Sequence, residues 1–170
     1  MNFRKSSIAS LNNFQKYPEK FKIFDVRNSF LLNPQYFDTN ILKAYAMIVG
    51  QKESLYFGGY YFFKFNYPID YPFSPPIVTY MTNDGVTRFN PNLYKNGYVC
   101  ISILNTWAGE KWSSCQTISS VLIALCSVLN KYPFENEPGQ DKTSKSFNSY
   151  HKTIEYKNID FAICDIFLNQ

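Results

Sequence analysis

Cys100 lies in the stretch Arg88-Phe89-Asn90-Pro91-Asn92-Leu93-Tyr94-Lys95-Asn96-Gly97-Tyr98-Val99-Cys100-Ile101-Ser102-Ile103-Leu104. The thiol follows an Asn-Pro-Asn turn at a short spacing. Pro91 fixes its own φ and pushes Asn90 toward extended backbone, which freezes the turn. A frozen turn lets the Asn92 carboxamide point at chemistry on the sulfur. A free thiol with a pKa of about 8.5 is only slightly ionised at neutral pH, yet it is strongly nucleophilic. The pattern therefore reads as a cysteine that carries an acyl group.

Two acyl chemistries compete. A cysteine hydrolase requires a histidine to activate the thiol. The chain has one histidine, His151, roughly fifty residues further on. It sits in a helical pattern without an orienting partner in sequence, so it reads as a surface or core residue. Transthiolation asks for less. An incoming thioester is already high in energy, and Cys100 exchanges for the outgoing thiol without a strong base. An amine then attacks the new thioester, and negative charge develops on the carbonyl oxygen. One preorganised donor stabilises such an oxyanion by roughly 3 kcal/mol. Asn92 is the natural donor, and an Asx-type bond that braces the loop is the equal alternative. The attacking amine must also lose a proton. Glu137, on a turn after the long helix, is placed to orient or deprotonate it, the alternative being plain solvation.

These groups need a scaffold. Residues 2–16 read as an opening helix, with Ile8, Leu11 and Phe14 on one stripe and Pro18 as the stop. Four strands follow at Phe21–Arg27, Leu42–Val49, Gly59–Asn66 and Ile77–Thr82. Their short spacing predicts an antiparallel meander. Gly58-Gly59 marks a tight turn or a close backbone approach. Tyr67–Pro76 carries four prolines and must be a stiff loop. Its Phe73 either contacts a partner or tucks under the loop with Tyr71. The segment from Asn83 to Trp112 has no period beyond Val99–Leu104. Ile118, Val121, Leu122, Leu125, Val128 and Leu129 then trace a core helix capped by Thr117, with Pro133 beyond its end. Glu135–Gly139 is a turn. Phe147, Tyr150, His151 and Ile154 form one later helical stripe, and Ile159, Ala162, Ile163 and Ile166 form another. This is an α+β domain with helices segregated from the sheet.

Composition narrows the function classes. The 170 residues fit a single domain spanning 1–170. A net charge of +4, from scattered Lys and Arg, is too mild to imply nucleic acid. No apolar run approaches a membrane span, and no leader sequence is legible. The four cysteines form no Cys-x-x-Cys pair, so a zinc site is not expected. Cys126 and Cys164 fall in apolar patterns and read as small core residues. A reducing, cytoplasmic compartment fits this cysteine usage.

Tyr71-Pro72-Phe73-Ser74-Pro75-Pro76 resembles the Tyr-Pro-Phe-x-Pro-Pro loop of ubiquitin-conjugating enzymes. Asn90-Pro91-Asn92 sits where that family carries His-Pro-Asn. Gly97-Tyr98-Val99-Cys100-Ile101-Ser102-Ile103-Leu104 resembles its Gly-x-Ile-Cys-Leu-x-Ile-Leu, and Trp112-Ser113 with the following helix completes the likeness. The resemblance is good over roughly residues 40 to 140. It is strongest to the class with Asn-Pro-Asn and a longer loop after the cysteine, here Thr106–Trp112. That class includes the conjugating domain of the giant apoptosis inhibitor BRUCE or Apollon, and Asn136-Glu137-Pro138-Gly139 also fits it.

The resemblance implies a compact set of roles. Cys100 would accept ubiquitin, or a ubiquitin-like protein, from an activating enzyme. Asn92 would support transfer to a lysine, with Glu137 nearby. Pro72, Phe73, Trp112 and Ser113 would face a RING-type ligase. Arg4 and Lys5 on the first helix would meet the activating enzyme. No cofactor is implied, because ATP is used by that upstream enzyme. Asn90 stands in place of a histidine whose role is structural. Ser114-Cys115 replaces a common Pro-Ala in the second ligase loop. Ser102 replaces an acidic residue, which leaves Glu137 as the main acid near the thiol. The competing reading is a non-catalytic module that holds ubiquitin or a ligase, but the inactive variants of this fold lack the cysteine.

Overall fold

The computed structural model describes the backbone of residues 30–33 and all of residues 42–166. The expected first helix, the expected strand at Phe21–Arg27, and Arg4 and Lys5 lie outside these residues. Among the described residues, four antiparallel strands form one sheet in sequential order: β1 (Phe30–Asn33), β2 (Lys43–Val49), β3 (Tyr60–Asn66) and β4 (Ile77–Tyr80). β1 has no counterpart among the sequence expectations. It is only four residues long and ends against Pro34, too short for a period-2 pattern to show.

Register follows from the aromatic alternation in β3. Tyr61, Phe63 and Phe65 are fully buried and face the main core, with Ala46 opposite Phe63 and Val78 opposite Phe65. Slipping the register by one residue would bring Lys64 to that face. Beyond the end of β4, Thr82 continues the pairing with β3. Its hydroxyl accepts from the Phe62 amide at 2.8 Å and donates to the Tyr60 carbonyl at 3.1 Å.

Helix α1 (Ile118–Val128) packs on this core. Thr117 caps it as expected: its hydroxyl accepts from the Ser120 amide, and Ser120 answers in a reciprocal capping box. Val121, Leu122 and Leu125 are fully buried and Leu129 nearly so. Each such side chain contributes about 1.5–3 kcal/mol by leaving water. A 3-10 turn at Pro133–Asn136 then reverses the chain.

The two later apolar stripes do not make two separate helices. Helix α2 (Phe147–Lys157) continues directly into a π-helical segment, Asn158–Asp165. The residue at the junction, Asn158, is buried. Its amide donates to the Phe57 carbonyl at 3.1 Å, and its carboxamide oxygen accepts from the Tyr61 hydroxyl. Both readings of Gly58-Gly59 hold. Gly58 has φ +78°, and a Cβ at Gly59 would lie 2.1 Å from Asn158 Oδ1. The glycine pair thus lets the β2–β3 connection dock against the C-terminal helical segment.

Asp84 ties the loop before the catalytic-looking stretch to α2. Burial opposes its charge. The Thr87 amide and hydroxyl, the Val86 amide and Lys157 outweigh that and hold its pKa down at about 2. A carboxylate depressed in the folded state stabilises it fully above the unfolded value and loses that contribution as pH falls through the folded value. Asp84→Asn should therefore lower the melting temperature at pH 7. The difference from wild type should shrink as pH drops from 3.8 toward about 2. Thermal melts across that window check both signs.

Candidate active site

The Asn-Pro-Asn turn is organised from its first residue. Asn90 is completely buried. Its amide donates to the Tyr56 hydroxyl at 2.9 Å and to the Val128 carbonyl at 2.7 Å, and its Oδ1 accepts from the Asn92 amide at 2.8 Å. Tyr56 in turn donates to the Phe89 carbonyl at 2.7 Å. One carboxamide thereby joins the turn, the end of α1 and the core. Desolvation raises the Tyr56 phenol well above its usual range, so this link stays neutral and hydrogen-bonded.

Asn92 reaches forward from the turn. Its Nδ2 donates to the Cys100 carbonyl at 2.8 Å, and the Cys100 amide donates back to the Asn92 carbonyl at 2.8 Å. In this arrangement the side chain braces the backbone that carries the sulfur. The amide carries a second N–H, so this brace leaves a donor for an oxyanion developing at a thioester carbonyl on Cys100. Asn92 Oδ1 is buried without a hydrogen-bond partner.

Cys100 is 6% exposed. It is not sunk in the hydrocarbon core, because it lines a small cleft of about 20 Å³ together with Arg88, Asn92, Tyr94, Trp107 and Glu137. Its thiol donates to the Thr106 carbonyl at 3.1 Å. The loop that supplies this acceptor is held by the Thr106 hydroxyl, which bridges the Ile101 amide and carbonyl at 2.9 Å each. Burial pushes the Cys100 thiol above its ordinary value, Arg88 draws it down, and Glu137 pushes it up again. The resting sulfur is therefore mainly protonated at neutral pH.

Glu137, Asn92 and Cys100 thus converge on one cleft, although Glu137 is distant in sequence. Its carboxylate pairs with Arg88 at 3.2 Å. Arg88 also donates to the Pro91 carbonyl and lies 4.2 Å from the Tyr94 ring centroid. The sequence reading did not single out Arg88 or Trp107. The one available signal was their position, directly before and shortly after the motif. His151 is not part of this cleft. It stacks on Phe147 with ring centroids 4.1 Å apart, and burial lowers its pKa.

The ligase-facing candidates form a second group. Trp112 Nε1 donates to the Pro72 carbonyl at 2.8 Å and so fastens the two loops together. Tyr71 tucks between Tyr67 and Trp112, with centroids 4.9 and 6.0 Å apart, whereas Phe73 is 80% exposed. The two readings of this loop therefore divide: Tyr71 belongs to the core and Phe73 to the surface. Trp112 is itself buried, so it supports this surface from beneath, while Ser113 is exposed. Of the two cysteines expected in the core, Cys126 and Cys164, each is only partly buried; Cys115 is exposed. Among the described residues, no cluster of three or more His, Cys, Asp or Glu side chains could hold a metal ion. No described helix is long and apolar enough to cross a membrane.

An antiparallel meander, a core helix and a braced cysteine loop define the conjugating fold. A family model described as ubiquitin-conjugating enzyme matches residues 15–160, and the chain belongs to that family. Within it, the chain is 44% identical over 130 residues to ubiquitin-conjugating enzyme E2 Z of Homo sapiens, covering 75% of this chain and 37% of that protein. It is 43% identical over 130 residues to the E2 Z of Xenopus tropicalis, covering 75% and 42%. It is also 42% identical over 118 residues to the human dual E2 ubiquitin-conjugating enzyme/E3 ubiquitin-protein ligase BIRC6, covering 65% of this chain and 2% of that protein. The match thus spans less than half the length of each of these relatives.

Proposed function

We propose that Cys100 accepts ubiquitin as a thioester from an activating enzyme and passes it to a lysine amine. In the first step Cys100 Sγ attacks the thioester carbonyl carbon. A new carbon–sulfur bond forms, the old one breaks, and the thiol proton passes to the departing sulfur. In the second step a lysine amine attacks the same carbon. The carbon–nitrogen bond forms, Cys100 leaves as a thiolate, and the proton shed by the amine balances it. The observation that carries this reading is the convergence of Cys100, Asn92 and Glu137 on a single cleft.

Each residue has work suited to its surroundings. Exchange between two thioesters is nearly balanced in energy, so the raised thiol pKa slows it without forbidding it. Asn92 holds the Cys100 backbone in place, and that rigidity keeps the reacting carbon at a fixed distance from the attacking amine. Glu137 supplies the negative charge that gathers the lysine ammonium and helps remove its proton. The direct test is to mix the protein with activating enzyme, ATP and ubiquitin and run a non-reducing gel. A shifted band that collapses with thiol reductant is expected. Its absence with ubiquitin, and its appearance with another ubiquitin-like protein, would reassign the cargo.

The exposed Phe73, presented on a proline-stiffened loop and backed by Trp112, is the contact we assign to a RING-type ligase. Such a loop loses little entropy on docking. Phe73→Ala should change stability by less than about 0.5 kcal/mol, as expected for an exposed side chain. It should leave charging untouched and reduce ligase-stimulated discharge several-fold. A discharge assay with and without a RING ligase separates the two effects.

A further inference from the structure

Arg88 occupies a position that the family reading does not use. Its guanidinium meets three separate walls of the thiol cleft: the Pro91 carbonyl, the Tyr94 ring at 4.2 Å, and the Glu137 carboxylate at 3.2 Å. Arg88 and Glu137 side chains are 39% and 42% exposed. An ion pair this exposed contributes little to stability. Yet Arg88 Nε is buried without a hydrogen-bond partner, a cost that a purely decorative surface pair would not carry. A planar cation pinned by a carbonyl and a ring has little freedom left. Whatever it pairs with inherits that fixed position.

We propose that Arg88 is the positioning residue for lysine attack: clamped by Pro91 and Tyr94, it holds the Glu137 carboxylate at the mouth of the Cys100 cleft. This rests on the roles given above to Cys100 and Glu137. Arg88, Pro91 and Glu137 also line a wider groove of about 580 Å³. The pair therefore stands as a partition between groove and cleft, and the carboxylate stays open to an arriving amine. Without Arg88, Glu137 would sweep through the rotamers of a solvated surface side chain. The ammonium would then meet its counter-charge in the wrong place for most of the time.

The experiment is single-turnover discharge of the preformed ubiquitin thioester, chased with free lysine or with hydroxylamine. Lysine arrives as an ammonium that must be gathered and deprotonated. Hydroxylamine is neutral and needs neither. Only charged molecules are counted, so an unfolded fraction does not enter. Glu137→Gln and Arg88→Gln should each lower the lysine-to-hydroxylamine rate ratio about tenfold or more, the scale of a misplaced catalytic group. The double variant should be no worse than the slower single one, and Arg88→Lys should recover part of the ratio. A general loosening of the cleft would slow both amines together and leave the ratio flat, which would overturn the proposal. Losses that multiply in the double variant would also overturn it, because Arg88 would then act independently of Glu137. If Glu137→Gln alone keeps the wild-type ratio, the role of Glu137 falls. If that variant loses the ratio while Arg88→Gln keeps it, only Arg88 is misassigned. Failure of the wild type to charge removes the underlying reading itself.

Discussion

Cys100→Ala should abolish the reductant-sensitive ubiquitin adduct completely, while Cys115→Ala leaves it at wild-type yield. The contrast is informative because Cys115 is the exposed cysteine, and simple accessibility would favour it. Accessibility is not what thioester exchange requires. The reacting carbon must be held at a set distance and angle, and fixed geometry is worth far more than exposure. Cys100 has that setting. Its carbonyl is held by Asn92, its thiol by Thr106, and its cleft carries Arg88 and Glu137. Desolvation also predicts a pH dependence. A thiol raised above its ordinary value is mostly protonated at neutrality. The rate of charging should therefore climb as pH rises through the neutral range and continue to climb toward the thiol pKa. Non-reducing gels at fixed times across that range check this. An adduct that persists in Cys100→Ala, or vanishes in Cys115→Ala, would move the site to another sulfur.

Asn90→Ala should destabilise the fold by about 3 kcal/mol, because one buried donor loses its acceptor and two further bonds disappear. The donor is the Asn92 amide, and the lost bonds run to Tyr56 and to the Val128 carbonyl. Val128 keeps a second partner in Asn136 Nδ2 at 3.0 Å, and Tyr56 keeps the Phe89 carbonyl, so those ends are not abandoned. For a chain of this size each kcal/mol shifts the melting temperature by roughly 2–4 °C. The functional consequence should go beyond stability. Asn92 stands on the turn that Asn90 holds, and Asn92 braces Cys100. Charging should therefore slow even well below the new melting temperature. Calorimetry beside a charging time course separates the two losses. A variant that melts lower but charges normally would confine Asn90 to the core.

The candidate thiol and its turn were legible because they depend on local spacing. A proline fixes φ whatever the rest of the chain does, so Asn90-Pro91-Asn92 announced a frozen turn without any tertiary information. The α1 stripe and its Thr117 cap were equally legible, since both are set within a few residues. The expected strands at Leu42–Val49, Gly59–Asn66 and Ile77–Thr82 each lie within two residues of β2, β3 and β4 at either end. The C-terminal helices were harder. A π-helical segment shares its apolar spacing with an α-helix over one or two turns, so the change of pitch at Asn158 left no mark on the pattern.

Residue types and their spacing along the chain marked the candidate thiol, the rigid turn and the core helix, because backbone restriction and apolar periodicity act over a few residues. Which partner each polar group takes could not be read that way. The residue types left Asn92 suited to an oxyanion or a brace, and only folding set the Cys100 carbonyl 2.8 Å from its amide. Arg88 was one unremarked cation among 17 basic residues until the chain returned and laid Glu137 beside it. Hydrogen bonds and ion pairs form between groups that are near in space, and for Arg88 and Glu137 that nearness exists only once the core has closed.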